Sequence, residues 1–302
     1  MQSEAGLLCQ RACSKINLFL KVTGKRADGY HTLESLFLPL AEPADDIAID
    51  LEALPGAITV ACSDVFLPGG MSNIAGKAAD IWSKRSGVMP HWDINIVKNI
   101  PVAAGMGGGS SDGATVMKML NTHANNPLND AELAEAALTL GADVPFFLDP
   151  APAIMTGIGE TACKLDFELP DLNILLLAGN FPVSAAEGYR LMGQEKISPM
   201  DSTLRSDILQ SLRSGDLEKF SRLIFNDLQD GVFNKFPCLK IIAQKVMRTD
   251  ALCCLMTGSG PTLFAIYANS RQRSAAMEEL RAALPEIRLI AAAGFNSSTA
   301  AL

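Results

Sequence analysis

A chain of 302 residues that is 48% hydrophobic can bury substantial cores and has the length of about two domains. Its net charge of −8 and pI near 5.0 argue against a broad surface for nucleic acid or anionic membrane, so an anionic ligand must be caught by a local pocket. Seven cysteines without C-x-x-C or zinc spacing, and only three histidines, exclude a disulfide framework and a His-rich metal centre.

The first residues lack a basic region followed by a long apolar run, and no later span reaches membrane length, so the reduced cytoplasm is the expected compartment. Residues 12–22 alternate as a strand, with Ile16, Leu18, Leu20 and Val22 on one face and Lys15, Asn17, Phe19 and Lys21 on the other. Lys15 and Asn17 therefore share a face, which is either solvated, as for most strand lysines, or turned toward a ligand. In Gly24-Lys-Arg-Ala-Asp-Gly-Tyr-His-Thr-Leu33 the Asp28-Gly29 pair marks a turn. Tyr30 and His31 follow it, and both can address one ligand only if the segment departs from regular strand. Otherwise Tyr30 is half-buried and His31 hydrogen-bonded nearby. Strands are predicted over 36–40, 47–51 and 58–61. A helix runs from Ser72-Asn73 to Gly87, with Ile74, Ala78, Ile81 and Arg85 at helical spacing. Trp92, Ile94 and Ile96 then alternate into a strand that ends near Lys98.

That strand leads into Pro101-Val-Ala-Ala-Gly105-Met-Gly107-Gly108-Gly109-Ser110-Ser111-Asp112, where four glycines fall within five residues. Glycine admits left-handed backbone and close approach of a ligand. Ser110, Ser111 and Asp112 are capping types for a helix over 114–121, whose first amides and dipole suit phosphate oxygens. Neither G-x-x-x-x-G-K-[ST] nor G-x-G-x-x-G is completed. A flexible linker is the plain alternative, although a linker would carry Ser and Gly on both sides and not lie between a strand and a capped helix.

Asn129-Asp-Ala-Glu132 is a capping box that opens a helix with Leu133, Ala137 and Leu140, and Gly141 is placed to end it. In Gly141-Ala-Asp143-Val-Pro145-Phe-Phe-Leu148, Pro145 biases Val144 toward extended backbone and sets Asp143 at a break past the helix end. There the helix dipole gives a carboxylate nothing. Either a local Asx hydrogen bond explains Asp143, or it is a partly buried carboxylate needing a partner, for which Lys15 is a candidate. Residues 153–165, interrupted by Gly157 and Gly159, read as a hairpin that closes a first domain over 1–165. From Leu172 the pattern changes to strand 172–178, a helical insert, strands 252–256 and 262–267, helix 270–284 and strand 287–292. That is the order of a ferredoxin-like split βαβ domain over 166–302. In the insert, Ser184-Ala-Ala-Glu187 is a capping box with Tyr189 in the turns it opens, and a helix over 216–229 buries Phe220, Leu223, Ile224 and Leu228. Met256-Thr-Gly-Ser-Gly-Pro261 is a glycine hairpin turn or a second loop of close approach. Cys253-Cys254 reads as packing.

Ser14-Lys-Ile-Asn-Leu-Phe-Leu20, Ala104-Gly-Met-Gly-Gly-Gly-Ser-Ser-Asp112 and Thr257-Gly-Ser-Gly-Pro261 resemble the three motifs of the galactokinase, homoserine kinase, mevalonate kinase and phosphomevalonate kinase (GHMP) superfamily. Their order and spacing agree across nearly the whole chain. Arg26-Ala-Asp-Gly-Tyr-His-Thr-Leu33 and Leu140-Gly-Ala-Asp-Val-Pro145 further resemble the branch that phosphorylates a cytidine-diphosphate-linked branched polyol in non-mevalonate isoprenoid synthesis. The resemblance implies an α+β architecture. An N-terminal domain like the second domain of ribosomal protein S5 joins the ferredoxin-like C-terminal domain, with the substrate cleft between them.

It implies ATP binding by Pro101, Val102, Ala103, Ala104, Gly105, Met106, Gly107, Gly108, Gly109, Ser110 and Ser111, with Asn73 and Lys98 near the adenosine. Lys15 and Asp143 would form the catalytic pair. Asn17, Gly258 and Ser259 would contact substrate; Tyr30 and His31 would hold the cytosine by stacking and by hydrogen bonding to its edge, with Tyr189 as an opposite stacking wall. Direct phosphoryl transfer follows, with Mg²⁺ bridging phosphates near Ser110 or Ser111 and no dedicated carboxylate cage. The expected partner is a small molecule and neither nucleic acid nor membrane, and the expected assembly is a monomer or homodimer. The alternatives are a mevalonate, homoserine or sugar kinase of the superfamily, which residues 28–31 speak against, and a non-catalytic nucleotide sensor, which Lys15 and Asp143 speak against. Met106 stands where the family often has Leu, and Gly113 where it usually has Ala, at a cost of about 0.5–1 kcal/mol to the helix.

Overall fold

The computed structural model describes residues 2–4, 6–179, 181–292 and 294. The first half forms strands β1 (Gln2–Glu4), β2 (Leu7–Lys25), β3 (His31–Asp50), β4 (Ile58–Cys62), β5 (Trp92–Val97), β6 (Ala153–Thr156) and β7 (Thr161–Lys164). They lie in the order β1-β2-β3-β5-β4, with the β6–β7 hairpin attached to β3. Helices α1 (Ile74–Ser86), α2 (Gly108–His123) and α3 (Asp130–Leu138) cover this sheet, and Trp82, Met117 and Leu133 join Ile49, Trp92 and Ile94 in its core. The second half places β8 (Asn173–Ala178), β9 (Ala251–Met256), β10 (Leu263–Tyr267) and β11 (Arg288–Ala292) in the order β11-β8-β10-β9, all antiparallel. This is the ferredoxin-like arrangement that the order of elements predicts. Its helices are α4 (Ala185–Leu191), α5 (Ser202–Ser214), α6 (Leu217–Leu223), α7 (Gln229–Lys235), α8 (Pro237–Val246) and α9 (Ser270–Ala283).

The second sheet is buried on both faces. Leu175, Leu177 and Tyr267 pack on the helical side with Val232 and Leu280. Ile174, Leu176, Phe264 and Ile266 pack with Ile16, Leu18, Leu36 and Leu38 from the first sheet, so the two halves share a continuous core. Among the described residues no helix is long and apolar enough to cross a membrane.

Several local expectations need correction. The ladder between β2 and β3 shifts register between Asn17 and Phe19, a bulge that breaks strict alternation. Phe19 consequently joins Ile16 and Leu18 in the shared core, while Leu20 lines the same cavity as Lys15 and Asn17. The strands expected over 36–40 and 47–51 are one strand. Pairing jumps from Ser14↔Leu40 to Cys13↔Ala44, which leaves residues 41–43 outside the ladder, where Pro43 has no N–H to lose. Helix α2 begins at Gly108, capped by left-handed Gly107 without a side-chain bond. Ser110–Asp112 are therefore inside its first turns and are not its caps. Its next residue, Gly113, lies where a Cβ would sit 3.3 Å from Ile74 Cγ1, so the close packing of α2 on α1 accounts for a glycine there.

The Asn129–Glu132 capping box forms in both directions, but α3 ends at Leu138, ahead of Gly141, with the Thr139 hydroxyl donating to Ala136 O at 2.6 Å. Val144 is helical (φ −64°, ψ −43°) and leads a 3₁₀ turn over Pro145–Leu148, since proline at a first helical position loses no bond. Of the second box, Ser184 accepts the Glu187 N–H at 3.2 Å, while the Glu187 carboxylate pairs with Lys235. The helix expected over 216–229 stops at Leu223, because the following residues bond to β2: Leu20 N–H donates to Phe225 O at 2.9 Å and Asp227 N–H to Leu20 O at 3.0 Å.

Candidate active site

Lys15 stands on β2 where the strand meets the glycine loop, its own N–H donating to Met106 O at 3.0 Å. The side chain is 5% exposed. Its ammonium donates to Asn17 Oδ1 at 2.8 Å, lies 3.6 Å from Asp143 Oδ2 and sits 4.5 Å from the centroid of the Phe37 ring. Burial lowers the Lys15 pKa below the ordinary lysine value, with Asp143 opposing that fall. Asp143 keeps 32% of its side chain exposed, so the carboxylate that meets the lysine is still accessible to a ligand. Asn17 Nδ2 donates to Ser35 Oγ at 2.8 Å, and its N–H donates to Thr257 Oγ1 at 2.9 Å, which fixes the amide that holds Lys15.

The two glycine loops touch. A Cβ on Gly105 would lie 2.4 Å from Thr257 O, and one on Gly258 2.9 Å from Gly105 O. Buried Asn226 supports the second loop, its Nδ2 donating to Met256 O at 2.7 Å and Gly258 O at 2.9 Å. In the first loop Ala103, Gly105 and Gly107 all have positive φ. The first α2 bond runs from Ser111 N–H to Gly107 O at 2.9 Å, so the amides of Gly108, Gly109 and Ser110 precede the helical ladder and are the groups a helix start offers to an anion.

Two cavities adjoin across this loop. The larger, about 850 Å³, is lined by Lys15, Asn17, Asp143, Tyr30, His31 and Tyr189, and also by Gly258 and Ser259. The smaller, about 430 Å³, is lined by residues 101–110 with Asn73, Lys98 and Asp112. Gly105, Gly107 and Ser110 belong to both. Ser111 lines neither and is buried. Asn73 caps α1, accepting the Ala75 N–H at 2.9 Å. Lys98 is bound to Asp45 and Asp112; burial works against its charge, but the two carboxylates hold its pKa above the ordinary value. Burial in turn pushes Asp112 up to about 7, with Lys98 opposing and Asp45 adding to the rise.

At the far end of the larger cavity Tyr30 follows the Asp28-Gly29 turn, outside β3, while His31 begins the strand. The departure from regular strand that lets both face one space is thus present. Tyr30 is 61% exposed. His31 stacks on Tyr189, with ring centroids 4.8 Å apart and planes 6° from parallel; a base between two rings needs about 7 Å, twice a van der Waals contact. His31 Nε2 is buried without a partner, and burial together with Lys25 lowers the ring's pKa, which favours the neutral imidazole near pH 7. Burial and the Asp143 charge raise the Tyr189 pKa.

Sequence reasoning missed Phe37, Leu20, Asn226 and Asp45. Phe37 lies opposite Asn17 in the ladder and was visible only as a strand hydrophobe. Asn226 and Asp45 act through contacts 30 and 55 residues away along the chain, which no local pattern records.

Residues 73–155 match the family described as GHMP kinases N terminal domain, and residues 208–286 match GHMP kinases C terminal. Fold and cavities together thus define a two-domain, ATP-dependent small-molecule kinase of the GHMP class. The 4-diphosphocytidyl-2-C-methyl-D-erythritol kinase of Geobacter sp. (strain M21) is 36% identical over 89% of this chain and 92% of its own length. That of Geobacter sulfurreducens is 36% identical over 91% and 95%. A crystal structure of 4-(cytidine 5'-diphospho)-2C-methyl-D-erythritol kinase superposes with a TM-score of 0.79 at 30% identity, covering 96% of this chain and all of that one. The chain belongs to the 4-diphosphocytidyl-2-C-methyl-D-erythritol kinase family. Homoserine kinase from Cytophaga hutchinsonii, at 14% identity and a TM-score of 0.75 over 98% of this chain and 96% of that one, shares the fold.

Proposed function

We propose that this kinase moves the γ-phosphoryl group of ATP to the 2-hydroxyl of 4-diphosphocytidyl-2-C-methyl-D-erythritol, with Asp143 as base and Lys15 as its electrostatic partner. The observation that carries the assignment is the 3.6 Å Lys15–Asp143 pair in a cavity that shares Gly105, Gly107 and Ser110 with the loop cavity. The triphosphate lies along residues 101–110 with the adenosine toward Asn73 and Lys98, and its end reaches the shared residues. Asp143 takes the hydroxyl proton as the hydroxyl oxygen bonds to the γ-phosphorus and the bond to the β-phosphate oxygen breaks, releasing ADP. Lys15 keeps Asp143 ionised and offsets charge on the transferred group.

The division after residue 165 separates the part that holds nucleotide and the catalytic pair from the part that completes the cleft. Among the described residues no three Asp, Glu, His or Cys side chains converge on a metal site. Ser110, which lines both cavities, is the hydroxyl that would reach an Mg²⁺ held mainly by phosphate oxygens and water. The ion would neutralise charge on the β- and γ-phosphates. Assaying ATP consumption with the cytidine substrate beside mevalonate, homoserine and galactose tests the assignment; turnover of one of the others in preference overturns it.

For the base, Tyr189 becomes a stacking wall when the pyrimidine takes the space His31 occupies against it, with Tyr30 closing from the other side. His31 then turns its unpartnered Nε2 edge toward the base. His31→Ala is expected to raise KM for the cytidine substrate at least about tenfold, a lost hydrogen bond plus lost contact, while KM for ATP changes less than about twofold. Equal changes in both would contradict this placement.

The pH profile provides a separate check. Catalysis needs the Lys15 ammonium, and burial lowers its pKa, so the ammonium is lost before an ordinary lysine would titrate. The alkaline limb of kcat should therefore fall below pH 10.5, the ordinary lysine value. A kcat that stays flat up to that pH would remove the requirement for a charged Lys15.

A further inference from the structure

A charged cluster that the transfer step does not use lies beneath the glycine loop. Asp45, on β3, is fully buried. Its Oδ1 accepts the backbone N–H groups of Asn99 at 2.6 Å and Ile100 at 2.8 Å, and its Oδ2 accepts from the Lys98 ammonium. That ammonium also donates to Asp112 Oδ2 at 2.6 Å, and Asn99 Nδ2 donates back to Ala44 O at 3.0 Å. A buried ionic cluster of this kind adds little net stability compared with apolar packing. Its geometric effect is larger. Strand β5 ends at Val97, so residues 98–100 have left the sheet ladder when they enter the loop; Ser63 Oγ accepts the Lys98 N–H at 2.9 Å, and the Asp45 carboxylate fixes the next two amides. Through Lys98 the same carboxylate is tied to Asp112 in the first turns of α2. Both ends of the loop, before Pro101 and after Ser111, are thereby anchored to a single side chain.

We propose that Asp45 is a positioning residue for ATP: by anchoring both ends of the glycine loop it aims the amides of Gly108, Gly109 and Ser110 at the phosphates and holds Lys98 in the wall of the loop cavity. This rests on the reading of that cavity as the ATP site. Asp45→Asn keeps the shape and an oxygen for the two backbone donors but removes the charge that holds Lys98. Steady-state kinetics of the full chain should show KM for ATP raised about tenfold or more, with KM for the cytidine substrate within about twofold and kcat within about threefold of the parent. Asp45→Glu, which keeps the charge and displaces it by one methylene, should give the same split at about threefold or more and serves if the Asn variant does not fold. An ATP KM within twofold of the parent, or equal rises in both KM values, overturns the proposal. So does failure of both variants to fold, which would make Asp45 a folding residue.

Gly107→Ala, whose Cβ would meet the Phe147 ring at 2.7 Å, separates the two readings. If it raises KM for ATP while Asp45→Asn does not, the positioning role fails and the ATP site stands. If neither variant moves KM for ATP, the loop is not the ATP site.

Discussion

Asp143→Asn is expected to lower kcat by about 10²–10⁴-fold, the usual worth of a positioned general base, while KM for ATP stays within about threefold. The amide is nearly the same size and keeps one oxygen for hydrogen bonding, but it accepts no proton at working pH. It also removes the carboxylate paired with Lys15, whose ammonium already has a lowered pKa from burial, so the variant is expected to lose the proposed base and its counter-charge together. Folding should be little affected, because Asp143 is 32% exposed and, among the described residues, is ion-paired with Lys15 alone. Nucleotide affinity should persist because the loop amides and Asn73 are on the other side of the shared residues. A kcat within tenfold of the parent, measured at saturating substrates, would take Asp143 out of the chemistry.

Gly105→Ala should lower kcat by about 10²-fold or more and raise KM for ATP, for a different reason. Gly105 has φ +75°, and its added Cβ would lie 2.4 Å from Thr257 O and 3.1 Å from Gly260 N. Both obstacles are backbone, so the two glycine loops must move apart. The displacement reaches the proposed catalytic pair directly: Thr257 Oγ1 holds Asn17, Asn17 holds the Lys15 ammonium, and Lys15 N–H is bonded to Met106 O. Gly87→Ala provides the comparison, since it has the same left-handed backbone (φ +74°) at the end of α1 and nothing within 4 Å of the new Cβ. It should cost about 1 kcal/mol of stability, read as a lower Tm, and leave kcat unchanged. If the two variants lose activity equally, loop contact is not what Gly105 provides.

The parts of the site that were legible in the sequence are those that depend on short range. Glycines at fixed spacing, the Asn73 and Asn129 caps, the Asp28-Gly29 turn and the alternation around Lys15 each follow from local backbone rules. The errors arise where a distant partner decides. The Asn17–Phe19 bulge exists only because β2 pairs with β3, and it alone brings Leu20 to the cavity. The chain leaves helix at Ile224 because the backbone of Leu20 takes up Phe225 and Asp227, although apolar spacing runs on through Leu228. Helix α2 starts six residues earlier than its hydrophobic pattern, since glycines and serines carry no periodicity and the start is set by the left-handed turn at Gly107. The pairing of Lys15 with Asp143 spans most of the first half of the chain, and the sequence could offer it only as a candidate until β2 and the turn before Pro145 were placed side by side.

The core that joins the two sheets also has a mechanical meaning. With Ile16, Leu36 and Leu38 interleaved among Leu176, Phe264 and Ile266, the halves share one packed interior, and the smallest pieces at the mouth of the larger cavity are the ones a change can reach without disturbing it. Those pieces are the tight turn that presents Tyr30 and the seven-residue helix bearing Tyr189. On the proposed placement of the two substrates, exchanging them is expected to redirect which acceptor is admitted while leaving the glycine loop in place.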